Sequence, residues 1–506
     1  MGKIILALAI ILGIFFRFSN LVNNPPGLAM DEASFGINAV SMAADGKDEW
    51  GVAWPLTFRA FADFKLPAMG YLLAVTFKIL GVGVWQLRLV SALAGILTVI
   101  GVYLLVNEFL KNKKIAWITA MVALWSPWLV FFSRGAFESN LGLMFFVWGI
   151  LLLLKGKVNL SFLLGGIIAL VLANYSYITY KFLTPLVVLG YLFTYKRKLI
   201  TQLLIALVLF GVLSSPMYFS LADASGNNRI KSLWKFDQAT TGRTFTEKVS
   251  ANYIAYFSPK NLFFSPDPVR HRHFEGLATF YWFLLPFWLI GIYQFGKLKN
   301  KEFKYWLLFW ILLSPIPATL SADPFASLRA LPLAIPMVIL VGLGLAKLNK
   351  WGLVIVLLLA AFTLNDALIM LQKNQQREWN YGVSEMVEWV SKQGGKRIAW
   401  FDRSGDLYPN ILFALRSSPE MMYSRKPQLT ALNGYKDPKF DRVIEMGNYT
   451  FGPFDKQRYF YDKDVIVIGR SDEMPPHEPV SAGMSLLHEV KGVNFETLFS
   501  AYGYED

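Results

Sequence analysis

Three carboxylates and a lysine lie near the start of the chain, as Asp31-Glu32 and then Asp63-Phe64-Lys65. A carboxylate can take the proton of an attacking hydroxyl, which is typically worth ~10²–10⁴ in rate. A neighbouring ammonium can hold a phosphate. The same residues also suit a structural use. Asp is a favoured N-cap, and Glu in a first turn complements the helix dipole. Asp31-Glu32 stand at the head of a helical pattern in which Ala33, Ile37, Val40 and Ala44 form one apolar face. Further on, basic residues occur at Lys181, after the tyrosine-rich run Tyr175 to Tyr180, at Arg270-His271-Arg272-His273, and at Arg329. Each suits a phosphate. Each also suits an interface anchor whose charged end reaches water. A charge inside a bilayer costs ~2.5–3.5 kcal/mol on insertion scales, so basic residues gathered on the side opposite the usual one want a reason.

Other motifs carry less. Asp462-Lys463-Asp464 has the Asp-x-Asp form of a nucleotide-sugar metal site, but it falls in a C-terminal tail read as external, where nucleotide sugars are absent. His477 and His488 lack metal-ligand spacing. Gly342-Leu343-Gly344 reads as helix packing, with no Rossmann context. The chain has no cysteine, which removes disulfides, thiolate metal sites and a cysteine nucleophile.

The elements that must position these groups are mostly apolar. The 506 residues are 55% hydrophobic and 17% charged, against roughly a quarter charged in an ordinary soluble domain. Runs such as 199–217 and 277–295 approach the ~20 residues that cross a bilayer as a helix. Composition therefore excludes a soluble enzyme and a disordered chain. Forty-one Phe, 22 Tyr and 16 Trp fit aromatic interface belts. The net charge of +14 is dispersed in short clusters between apolar runs, so no contiguous basic face exists for nucleic acid. The clusters at Lys111–Lys114, Lys155–Lys157, Lys196–Lys198, Lys297–Lys304 and Lys347–Lys350 mark the cytoplasmic side.

Candidate spans are 3–20, 85–107, 115–132, 139–154, 160–174, 183–195, 199–217, 277–295, 304–320, 330–347 and 351–371. Residues 66–81 are apolar too, but counting them as a span would place Lys111–Lys114 and every later basic cluster outside. They are read as a surface helix. Parity then gives eleven spans, the N-terminus inside, and residues 21–84, 218–276 and the tail from 372 outside. The tail combines an amphipathic stretch (380–392) with strand-like runs at Arg397–Phe401 and Asp464–Ile468. The expected fold is a polytopic α-helical membrane domain over 1–371, with surface helices in its first external loop, and a small external α/β domain over 372–506.

This arrangement resembles the GT-C membrane glycosyltransferases, specifically the group of protein O-mannosyltransferases and the lipid A aminoarabinose transferase. The resemblance rests on Asp31-Glu32 opening a surface helix, on Asp63-Phe64-Lys65-Leu66-Pro67 followed by Gly70-Tyr71-Leu72, on Gln86-Leu87-Arg88-Leu89-Val90-Ser91 at the second span, and on Ser133-Arg134 after the third. It covers roughly residues 1–350. Two positions depart from the pattern. Ser139, flanked by Glu138 and Asn140, stands where the mannosyltransferases have Asp, and the proline pair after Lys65 is broken into Leu66-Pro67.

The resemblance implies a transferase that moves a sugar from a polyprenyl phosphate to an acceptor hydroxyl of a lipid, glycan or protein. It would act at the outer face of the plasma membrane, with inversion. It implies Asp31 as the base, with Glu32 and Asp63 orienting it or the acceptor. Lys65, Tyr177, Lys181, Arg272, His273, Arg329, Glu138 and Asn140 become candidate substrate-binding residues. Asp31, Asp63 and His273 become candidate ligands of a divalent cation (Mg, Mn or Zn). Two rivals belong to other classes. A transporter or flippase should carry ionisable residues or paired broken helices in mid-span, where few charges occur. A non-catalytic envelope assembly protein presenting the tail would tolerate loss of Asp31 and Lys65.

Overall fold

A computed structural model describes residues 3–60, 63–156, 159–194, 200–222, 244–321, 323–404, 407–423, 426–427 and 444–505. The chain divides into two compact units, one of residues 1–21 and 88–370, the other of 22–87 and 371–506. The sequence reading drew its boundary between 371 and 372. The structure differs in grouping Val22–Leu87 with the C-terminal segment.

The first unit is helical. Helices occur at every candidate span, among them α1 (Lys3–Phe18), α4 (Val84–Leu110), α5 (Lys113–Trp125), α6 (Pro127–Arg134), α7 (Glu138–Lys155), α8 (Leu160–Asn174), α9 (Ile178–Thr194) and α10 (Ile200–Ala222). After the short α11 (Phe245–Ala255) and α12 (Pro259–Phe263) come α13 (Leu285–Gly296), α14 (Lys301–Leu313), α15 (Ile316–Thr319), α16 (Leu331–Leu345) and α17 (Lys350–Asn374). Among the described residues, α4, α7 and α17 are each long and apolar enough to cross a membrane. The pair α5 and α6, bent by 53°, passes the same test when taken together. The bend follows from Pro127, which has no N–H to continue the hydrogen-bond ladder. Every residue of α16 is buried. It meets α13 backbone to backbone: a Cβ on Gly291 would lie 1.8 Å from Leu340 O, and one on Gly344 1.8 Å from Phe287 O. Small residues let apolar helices approach this closely where lipid supplies no hydrophobic drive.

Buried arginines stitch this unit together. Arg17 donates to the carbonyls of Ala123 (3.0 Å) and Leu124 (3.2 Å), in the last turn of α5 before the break, and to Leu129 O (2.9 Å) within α6. Arg134 donates to Phe16 O and, at 2.8 Å, to Ser19 O, while Arg88 donates to Leu21 O at 2.7 Å. These carbonyls lie at and just beyond the C-terminal end of α1, where cations are favoured by the helix dipole. Arg17, Arg88 and Arg134 are therefore internal braces.

The second unit joins the first loop to the C-terminal segment. The loop contributes α2 (Met30–Asp45), a hairpin of β1 (Phe58–Ala60) and β2 (Asp63–Lys65), and α3 (Pro67–Leu80). The C-terminal segment contributes α18 (Val383–Val390), α19 (Tyr408–Ala414) and seven strands, β3 (Arg397–Phe401), β4 (Lys426–Pro427), β5 (Ile444–Met446), β6 (Tyr449–Gly452), β7 (Val465–Arg470), β8 (Ser485–Lys491) and β9 (Thr497–Gly503), in one sheet ordered β4-β5-β6-β3-β7-β9-β8. Its centre is β3, parallel to both β6 and β7; the outer pairings are antiparallel. One face packs around Phe460, Val465, Val467, Met474 and Tyr502.

Periodicity gave α2 one apolar face, but it is buried on all sides from Glu32 to Ala39. The other side carries Ser34 and Gly36, and the ring of Phe413 on α19 packs where a Gly36 side chain would stand. Small residues read as a polar face in sequence and serve as a packing face here.

Candidate functional site

In the second unit, α2 begins at Met30 with Ala29 at its N-cap. Asp31 therefore falls in the first turn, and the capping reading moves from Asp31 to Glu32. The buried Glu32 carboxylate reaches back and accepts from Ala29 N–H at 3.2 Å, the return half of a capping box. Asp31 is left for other work. Its side chain is 53% exposed, and its Oδ1 lies 2.6 Å from the Nζ of Lys65, which is 7% exposed. Lys65 Nζ also approaches Asp31 O at 3.3 Å and stands 4.8 Å over the Phe35 ring. The β1–β2 hairpin delivers this lysine, since Lys65 pairs with the fully buried Phe58 in register. The result is a half-exposed carboxylate whose charge is paired with an internal cation. The side chain of Asp63 lies outside the described residues.

In the first unit, three of the expected residues come together. Arg272 closes a short 3-10 turn and donates to Asp323 Oδ2 at 2.8 Å; Arg329 approaches the same oxygen at 3.7 Å. Tyr177 is buried, and Thr179, two residues on, donates to Arg329 O at 3.1 Å. Burial alone would lower the Arg272 pKa; the bond to Asp323 and the charge of Asp267 outweigh it, and the net shift is upward. Asp267 is itself committed, accepting from Ser327 N–H (2.7 Å) and Oγ–H (2.6 Å). Arg272 Nε is buried and makes no hydrogen bond.

The other expected residues are placed elsewhere. Lys181 lies on the first turn of α9 rather than in a loop, and its Nζ points to Met217 O of α10 at 3.4 Å. Asn140 is buried and donates to Ser91 O (2.8 Å) and Ser91 Oγ (3.1 Å), which ties α7 to α4. Ser91 in turn donates to Phe132 O at 2.9 Å, so this part of the family-like pattern is helix packing. His273 shares Nδ1 with Phe274 O at 2.7 Å. Glu138 opens α7.

The comparisons follow this geometry. Residues 65–218 match the family model described as dolichyl-phosphate-mannose-protein mannosyltransferase. Among solved structures, ArnT from Cupriavidus metallidurans bound to undecaprenyl phosphate is similar, with a TM-score of 0.64 at 13% identity over 99% of this chain and 98% of that chain. The chain has the GT-C fold. The archaeal oligosaccharyltransferase AglB from Archaeoglobus fulgidus, in complex with an inhibitory peptide and a dolichol-phosphate, gives 0.51 at 13% identity over 94% and 70%. The Archaeoglobus fulgidus oligosaccharyltransferase in complex with Zn and sulfate gives 0.53 at 13% over 99% and 73%. No curated protein matches the sequence. The resemblance to the GT-C group of mannosyltransferases and aminoarabinose transferase holds in fold along almost the whole chain. With its membrane-length helices, this GT-C protein is a multi-pass membrane protein with a C-terminal sheet domain.

Among the described residues no three His, Asp or Glu side chains converge; the side chain of Asp63, one of the three candidate cation ligands, lies outside them. Asp31 Oδ1 already faces the Lys65 ammonium. Asp323 was missed in sequence. Only its contact with Arg272, 51 residues away along the chain, marks it, and no local pattern signals such a pair.

Proposed function

We propose that the protein is a glycosyltransferase that moves a sugar from a polyprenyl phosphate to an acceptor hydroxyl. The observation that carries this reading is the Asp31 carboxylate, relieved of capping by Glu32, paired with Lys65 and half exposed. In the proposed step Asp31 takes the hydroxyl proton as the acceptor oxygen bonds to the anomeric carbon. The bond from that carbon to the phosphate oxygen breaks, and polyprenyl phosphate leaves with the electron pair. Displacement from one side inverts the anomeric centre. Arg272 and Arg329, with Tyr177, are the proposed cradle for the phosphate charge, since guanidinium forks match phosphate geometry. Lys181, His273, Glu138, Asn140 and Asp63 stay in the proposal without an assigned step.

The neighbours bound to undecaprenyl phosphate and dolichol-phosphate support a lipid-phosphate donor. The proposed sidedness is an outer-face reaction, with eleven spans, the N-terminus cytoplasmic and residues 372–506 extracytoplasmic. It is supported by the lysine clusters between apolar runs. The test is to supply purified protein with radiolabelled polyprenyl-phosphate sugars and to follow release of the free lipid phosphate. Turnover by wild type but not by Asp31→Asn is the expected result. No turnover of any such donor would favour the non-enzymatic rivals. The same assay with EDTA tests whether a divalent cation takes part.

A further inference from the structure

We infer that Asn410 and Asn380 are positioning residues for Asp31, acting through the peptide group just ahead of its helix. This rests on the reading of Asp31 as the base. The peptide joining Leu28 to Ala29 is held on both edges by side chains. Its carbonyl, Leu28 O, accepts from Asn410 Nδ2 at 2.8 Å and from Asn380 Nδ2 at 3.1 Å. Its N–H, on Ala29, donates to Glu32 at 3.2 Å. Two donors fill both lone pairs of the carbonyl, and the peptide plane cannot rotate without breaking one of three bonds. Two residues later stands Asp31.

Both amides come from the C-terminal segment. Asn380 is itself oriented, since its Oδ1 accepts from Arg470 and its NH₂ must then face Leu28. Asn410 sits on α19, the helix whose Phe413 ring fills the space beside Gly36 of α2. The approach continues upstream: Gly27, at φ +71°, would place a Cβ 2.2 Å from Trp379 O. Asn410 Oδ1 is buried without a hydrogen bond. A leucine of similar size would avoid that desolvation, so the amide is explained by its donor to Leu28 and not by stability. The C-terminal segment thus fixes the direction in which the first turn of α2 presents Asp31. Misplacement of a reacting group by an ångström can cost up to ~10²-fold in rate.

The experiment compares full-length Asn410→Leu, Asn380→Gly (glycine tolerates the positive φ of that position) and the double variant with wild type. It reads kcat, donor KM, melting temperature and amide hydrogen exchange across residues 28–32. The expected result for the double variant is faster exchange there and a kcat about tenfold lower, with donor KM little changed and the melting temperature lowered, because the buried Leu28 carbonyl loses both side-chain donors. Unchanged exchange, or faster exchange with unchanged kcat, overturns the assignment. Asp31→Asn measured alongside separates the two ideas. If it keeps the wild-type rate, the base reading fails; if it is inactive while the double variant is fully active, only the positioning role fails.

Discussion

Lys65 Nζ lies 2.6 Å from Asp31 Oδ1, with the lysine buried and the aspartate half exposed. The asymmetry matters. A buried ammonium needs a partner because an uncompensated interior charge is costly, so Lys65 is held to Asp31 and to the face of Phe35. Asp31 is half exposed. Glu32, next in sequence, is spent on the backbone of Ala29. Adjacent carboxylates thus have different tasks, set by one residue of helical phase.

That division predicts different results for the two acids. Asp31→Asn removes no cap but leaves the buried Lys65 ammonium facing a neutral amide, so its melting temperature should fall, while the transfer rate falls ~10²-fold or more, since an amide cannot take the proton. Glu32→Ala should lose about 1 kcal/mol of stability, the usual worth of a cap, and Glu32→Gln should restore most of it. Matched thermal melts and transfer assays on purified variants check this. Near-full activity in Asp31→Asn would remove it as the base.

For Lys65, methionine is the informative replacement because it keeps the buried stem and removes the charge. Loss of an ion pair with one exposed partner should change stability by no more than about 1 kcal/mol. The transfer rate should nevertheless drop about tenfold through the misoriented carboxylate. In a double-mutant cycle with Asp31→Asn the two losses should be strongly non-additive, because both changes disable one pair. Additive losses would mean that Lys65 acts elsewhere.

What sequence could show here was local. The acid cluster, the helices after Asp31 and Pro67, and strands near 397–401 and 464–468 were legible because periodicity and turn residues act over a few positions. The N-cap was misplaced by two residues because a capping box normally advertises a Ser or Thr, and Ala29 offers no side-chain acceptor. Arg88 and Arg134 looked like part of a family pattern; what they do depends on the carbonyls of Leu21, Phe16 and Ser19, which no local pattern in the sequence can pair with them. The packing of α19 on α2 was hidden for the same reason, although Gly36 was visible throughout.

The arginine pair yields a test of sign. Arg272 and Arg329 share Asp323. If they carry a phosphate, Arg329→Gln should raise the donor KM about tenfold, toward the lower end of what a charged contact contributes. Asp323→Asn should lower it several-fold, because an amide oxygen still orients Arg272 while the competing negative charge is gone. Donor-dependence curves at constant ionic strength read both. A rise in both variants would make the trio a structural ion cluster.

Sidedness can be measured directly because the chain has no native cysteine to give background. Single cysteines at Asp45 and Ser471 should react with an impermeant maleimide in intact cells, and one at Asn112 should not, because it lies in a lysine cluster assigned to the cytoplasm. Asn112 caps α5 through Ile115 N–H at 3.1 Å, so a serine background variant should be run to show that loss of the cap leaves the protein inserted. Position 112 also decides how α3 is counted. α3 has 14 residues, about 21 Å at 1.5 Å per residue, against a hydrocarbon core of about 30 Å. If it nonetheless crossed, every later connection would change sides, and residue 112 would label while 471 stayed protected. Labelling at 45 and 471 without 112 leaves α3 on the surface and Asp31 on the outer side, where a lipid-linked donor must be met. The inverse pattern would place the tail in the cytoplasm and remove the outer-face reaction.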